Sequence, residues 1–238
     1  MKQAYKVTYK LLFNEQLKKV SYLGVLTHPL YIQITYKRKT TNIKSSYFDI
    51  LASSLFHSYQ LKQIKIPSIE KIIILERELI DFTIEKLAEG FSLESFRNAY
   101  EFYGTNICDE LEKGFRVYLF MHFNEKGLGN LGKSIAEGSE QRNLYLVLQE
   151  MKKAIKPEIY NLLIKNSFSA NQPFLPLYDF FLQSNMKVPF INIMQFQKPS
   201  IQSSFNDFIN SKYNKADCDR INKGLNFWLD QLENYANI

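Results

Sequence analysis

The stretch from Gly127 to Ser134 holds the clearest hint of chemistry in this chain. Gly127, four residues, then Gly132-Lys133-Ser134 has the spacing of a phosphate-binding loop, whose backbone N–H groups and lysine cradle a nucleotide's phosphates. Such a loop follows a buried strand and opens a helix, so that the N–H groups converge on the anion. Here the preceding FRVYLFMHFNEK continues a helical spacing that starts at Ile107. No later apolar strand ends in an Asp that would hold magnesium, and no βαβ series builds a parallel sheet. Gly132, Lys133 and Ser134 are the minor candidates for a nucleotide site, and a nucleotide-dependent enzyme is the third reading of the chain.

The other reactive residue types are scattered. His28, His57 and His122 share no metal-ligand spacing. No GxSxG elbow marks a nucleophilic serine. Cys108 and Cys218 are the two cysteines; they form no CxxC pair and are too few for a disulfide framework, so both read as reduced thiols packed in helices. The many glutamates of 67–113 read as solvated helix faces. We therefore read no catalytic residue, no metal and no cofactor.

Charge points elsewhere. The net charge is +6, but residues 1–66 hold eleven Lys/Arg against Glu15 and Asp49, giving +9. The remainder holds nineteen basic and twenty-two acidic residues, giving −3. Such asymmetry suits a polyanion-binding module joined to a near-neutral scaffold. The N-terminus alternates lysine with apolar residues, unlike a signal peptide. No apolar stretch approaches the roughly 20 residues of a membrane span; the longest, Ile72–Leu75, stops at Glu76. A cytoplasmic protein without membrane contact is the expectation.

These residues need elements to position them. In AYKVTYKLLF (4–13), Tyr5, Val7, Tyr9, Leu11 and Phe13 share one parity and Lys6, Thr8 and Lys10 the other, the period of a half-buried strand. Val20–Leu26 suggests a short strand. LYIQITYKR (30–38) alternates again, with Leu30, Ile32, Ile34 and Tyr36 against Tyr31, Gln33, Thr35 and Lys37. Lys37-Arg38-Lys39 predicts a charged turn, and Thr40–Ser46 a return strand. From Ser68 the spacing is helical. Helices are expected over 68–90, from Ser92 to Tyr100, and over 106–123, 139–155, 158–166, 174–184, 200–212 and 215–235. The four glycines of 124–138 predict a hinge or loop. The fold class is α+β: an antiparallel three-stranded sheet, then an all-helical region. The expected divisions are a basic β-domain (1–66), a helical linker and core region (67–126) and a C-terminal helical region (127–238).

The polar parity then becomes the leading candidate site. Lys6, Lys10, Gln33, Thr35 and Lys37 share it, Arg38 and Lys39 lie at the tip, and Lys44 on the return strand. A β-ribbon can enter the major groove of DNA, with Lys and Arg meeting phosphates and Gln and Thr reading bases. The second reading is a protein-interaction scaffold whose basic face meets an acidic partner, with a protein partner also open to the helical region.

YKVTYKLLFNEQLKKVSYLGVLTHPLYIQITYKRKTTNIKSSYFD resembles the N-terminal arm-type DNA-binding domain of tyrosine recombinases, the phage-integrase family, of Bacteroidetes mobile elements. The shared pattern is an alternating first strand, a polar insert, then PLYIQITYKRKT as strand, basic turn and strand. ELIDFTIEKLAEGFSLESFRNAYEFYG is similar to that family's linker and the start of its helical, SAM-like core-binding domain. The resemblance covers roughly the first half. The family's His-x-x-Arg is absent: His28 precedes Tyr31, His57 precedes Gln60 and His122 precedes Glu125 by three. The resemblance implies a DNA-binding relative without the catalytic domain, either truncated or an accessory factor, that does not cleave strands.

Overall fold

Period-two alternation becomes three paired strands. In the computed structural model, which describes residues 6–22, 25–52, 67–137, 144–184 and 191–236, β1 (Thr8–Phe13), β4 (Leu30–Tyr36) and β5 (Lys39–Lys44) form an antiparallel sheet in the order β1-β4-β5. Between β1 and β4, β2 (Val20–Tyr22) and β3 (Val25–Thr27) pair as a separate hairpin. The single strand expected over Val20–Leu26 is thus two, because the chain reverses between Tyr22 and Val25. The return strand ends at Lys44. Ser46–Ala52, its expected end included, forms a short helix, α1, which buries Tyr47, Phe48 and Leu51.

By contacts the chain divides into two units. The first holds residues up to Thr105 together with the last residues from Glu233; the second spans Asn106–Leu232. The first unit adds α2 (Ile69–Leu87), a 3-10 turn (Ala88–Gly90) and α3 (Leu93–Gly104) to the sheet. Ser92 caps α3 in a capping box with Ser95, which satisfies N–H groups at the start of the helix. The core is the apolar parity of the sheet: Ile32 and Ile34 are fully buried, and Leu30 and Ile43 nearly so. Aromatic contacts extend it, with Tyr36 edge-on to Phe91, and Phe96 stacked on Tyr100.

One carboxylate lies inside that core. Glu76 of α2 falls four residues after Ile72 and four before Ile80, on the apolar stripe, and is fully buried. It accepts hydrogen bonds from the Ser45 and Tyr100 hydroxyls and from the Tyr47 amide at 3.3 Å. The Tyr100 oxygen in turn accepts from the Ser46 amide at 2.7 Å. Burial pushes the Glu76 carboxyl up to about 7, against those hydrogen bonds, which favour the ionised form. The expectation that the 67–113 glutamates are all solvated is therefore corrected for Glu76, and for Glu112, which is buried beside Arg116.

The described elements of the second unit are helices, with one isolated antiparallel bridge between Asn106 and Asn192. It contains α4 (Ile107–Glu125), α5 (Gly129–Glu137), α6 (Leu144–Ala154), α7 (Pro157–Ser169), α8 (Phe174–Gln183), α9 (Ile193–Phe196), α10 (Pro199–Lys212) and α11, whose helix runs Lys215–Ala236. Phe115, Phe174 and Phe205 fill its interior. Two close approaches hold α11: a Cβ on Gly224 would lie 3.1 Å from Asn171 Cα, and one on Gly114 2.4 Å from the Trp228 ring. The Trp228 indole N–H donates to the Asn171 carbonyl at 2.7 Å. No helix among the described residues is long and apolar enough to cross a membrane.

Candidate nucleic-acid interface

Register fixes which side chains share a face. Lys10 pairs with Gln33, and Gln33 with Asn42; Thr8 pairs with Thr35, and Thr35 with Thr40; Leu12 pairs with Tyr31, and Tyr31 with Lys44. These rows cross the sheet on the side away from its buried parity. Lys6 continues the same parity just ahead of β1 and is exposed, as are Lys10, Asn42 and Lys44. The lysines of this face thus lie along the two outer strands. The central strand presents an amide, a hydroxyl and a phenol. The Thr35 and Thr40 hydroxyls bond to each other at 2.9 Å.

The tip is a two-residue turn. Lys37 and Arg38 have φ of 49° and 63°, and Tyr36 pairs with Lys39 across them. Positive φ at both central residues is the type I′ pattern, which Asn-Gly adopts most readily. Placing two cations with full side chains there costs about 1–2 kcal/mol each. Lys37 lies over the Tyr36 ring, 5.0 Å from its centroid; Arg38 is exposed. Lys39 belongs by register to the parity of Tyr36, Ile34 and Thr41, not to that of Lys10 and Lys44.

Arg97 of α3 adds a cation that sequence parity does not reveal. Its guanidinium donates to the Thr41 hydroxyl at 3.0 Å, which brings it from the helix side to β5, the outer strand of the described sheet. There it borders a shallow cavity of about 450 Å³, together with Tyr31, Asn42 and Lys44, and with Asp49 and Glu101 as the acidic members. The contact joins residues far apart in sequence, so only the fold exposes it. Asn42 was also missed, although its parity with Gln33 follows once the turn is fixed at Lys37-Arg38.

Most of the described glycine segment is helical, with a short turn at 126–128. Gly127, at φ 74°, ends α4, with its amide bonded to Asn124 and that of Leu128 to Phe123, a left-handed helix stop. α5 then begins at Gly129. Gly132 is buried because α4 and α5 pack closely: a Cβ there would lie 3.0 Å from the Phe120 carbonyl oxygen. Its amide is used within the helix, donating to Leu128. Lys133 pairs with Glu137 at 3.8 Å, both exposed, and Ser134 faces solvent. A helix, not a strand, precedes the motif, so it lacks the geometry of a phosphate-binding loop. Of the hinge or loop expected over 124–138, only a short turn at 126–128 remains among the described residues, and Gly138 lies outside them. Gly129 and Gly132 are helical because close packing outweighs the low helix propensity of glycine, about 1 kcal/mol per residue. Gly132→Val is expected to lower the stability of the helical unit by about 1–3 kcal/mol, and Lys133→Ala to change it by less than about 0.5 kcal/mol. Thermal denaturation measures both. A nucleotide-induced rise in Tm that Lys133→Ala removes would contradict this account.

Cys108 and Cys218 are free and buried, and burial raises both thiols above their ordinary value. Of the histidines, His28 has its Nδ1 3.1 Å from the Leu17 carbonyl, His122 lies edge-on to Phe123, and His57 lies outside the described residues. So do Lys2, Lys62 and Lys65. Among the described residues no three His, Cys, Asp or Glu gather as a metal site. The helical unit exposes Val117, Phe120 and Met121 of α4, and Leu128 and Leu131 beside them in sequence. No protein-family profile, curated protein or solved structure matches the chain.

Proposed function

We propose that this chain is a non-catalytic, cytoplasmic DNA-binding protein of the integrase-like, mobile-element type, contacting duplex DNA through the polar face of its N-terminal sheet. The observation that carries the proposal is the sorting of that face: lysines on the outer strands, neutral hydrogen-bonding groups down the centre. A sheet lying in the major groove has its outer strands against the phosphate walls and its centre against base edges. Three strands span about 10 Å between the outer backbones, and the groove is about 12 Å wide. The tip supports the same reading, since Lys37 and Arg38 occupy positions that smaller residues would fill at lower conformational cost.

Salt titration of DNA binding tests it. Each lost phosphate contact flattens the slope of log K against log salt by roughly 0.9. Lys10→Ala with Lys44→Ala is expected to weaken binding to all duplexes and to flatten the slope by about two units. Lys39→Ala, on the other parity, should change it least. If the wild type binds no duplex at low salt, or the double variant binds as tightly as the wild type, the proposal is wrong.

A further inference from the structure

Gln33 on the central strand β4 and Asn42 on the neighbouring outer strand β5 sit opposite each other. Their spacing follows from the ladder. The Ser45 amide donates to the Leu30 carbonyl, so residues 30 and 45 form a hydrogen-bonded pair. Pairs alternate along an antiparallel ladder. Gln33 and Asn42 are therefore a non-hydrogen-bonded pair, with Cα atoms about 4.5 Å apart and side chains projecting side by side. Gln33 is half-buried and Asn42 exposed. Neither side chain has a hydrogen-bond partner among the described residues, in contrast to the neighbouring Thr35–Thr40 pair.

A carboxamide presents an N–H donor and an acceptor oxygen side by side in one plane. In the major groove only adenine presents the complement, an N7 acceptor beside an N6 amino donor. Successive base pairs are about 3.4 Å apart, close to the separation of the two Cα atoms, and the extra methylene of Gln33 absorbs the difference. On the flanking row Leu12 and Tyr31 offer apolar surface suited to a thymine methyl. We infer that Gln33 and Asn42 each read one adenine on neighbouring base pairs, so the partner is a duplex with an A·T core. This rests on the DNA-binding reading above and adds to it the base class that is recognised.

The test is selection from a randomised duplex pool by the full chain, carried out with wild type, Gln33→Ala and Asn42→Ala. Both substitutions are at solvent-accessible positions, and circular dichroism checks that the fold is kept. The expected wild-type pool is enriched in two neighbouring adenines, and each variant loses one of them. Each variant should bind the selected duplex roughly 5- to 150-fold more weakly, the worth of one bidentate amide–adenine pair, with its salt slope unchanged. Replacing the selected adenines by 7-deazaadenine should weaken the wild type by a similar factor, and each variant should lose sensitivity at its own position. A wild type that binds DNA without adenine enrichment, or with enrichment that both variants retain, overturns the inference and leaves the DNA-binding reading intact. A wild type that binds no duplex overturns both.

Discussion

Raising the pH from 5 to 8 is expected to destabilise the sheet-bearing unit by up to about 3 kcal/mol through Glu76 alone. The direction follows from proton binding. Burial raises the carboxyl in the folded state to about 7, above its ordinary value of 4.5. Between those values the folded chain holds the proton and the unfolded chain has lost it. Stability therefore falls as pH rises through that window and levels off above 7. The Ser45 and Tyr100 hydroxyls and the Tyr47 amide soften the cost of ionisation, and no cation offsets it among the groups that bond Glu76. Glu76→Gln should remove this pH dependence while its amide still bonds the same neighbours. Amide exchange of residues 30–44 in urea, across pH, measures the difference between wild type and variant. Equal pH dependence in the two would contradict the assignment.

Gly114→Ala is expected to cost the helical unit at least about 2 kcal/mol, at the upper side of what overpacking usually does. The added methyl would lie 2.4 Å from the Trp228 ring and 2.6 Å from the Gln172 side-chain oxygen. The Gln172 group can swing away. The indole cannot, because its N–H is tied to the Asn171 carbonyl and Asn171 itself is packed against Gly224. Relief requires α11 to shift, breaking that hydrogen bond. Trp228 is the chain's single tryptophan, so its emission reports this event directly. A red shift with a lowered unfolding midpoint is expected; an unchanged spectrum and midpoint would mean that the helix has room the geometry denies.

The sheet was legible from sequence because alternation over Tyr9–Phe13 and Leu30–Tyr36 has one physical meaning: a strand with one face in the core. It separated Lys10 and Gln33 from Tyr9 and Ile34 correctly. The tip was harder. Reading Lys37-Arg38-Lys39 as one turn hides the fact that a two-residue reversal returns Lys39 to the buried parity. Residues 46–52 are too short for helical spacing to stand out, and α1 was missed. Arg97 and Glu76 depend on contacts between elements distant in sequence, which local periodicity does not contain. Glu76 did leave a trace, standing at a position of α2 whose neighbours four residues either side are isoleucines. The glycines around Gly132 misled because a close helix–helix approach and a flexible loop favour the same residue for opposite reasons.

The two-residue turn at Lys37-Arg38 also bears on how the sheet assembles. β4 and β5 are joined by the shortest possible loop, so their pairing needs little chain closure, whereas β1 must reach β4 across the whole β2–β3 segment. On these grounds the local hairpin is the natural seed of the sheet, and the positive φ of Lys37 and Arg38 adds a conformational cost to closing it. The two cations at the exposed tip are thus also the residues whose backbone the hairpin must hold in the left-handed region.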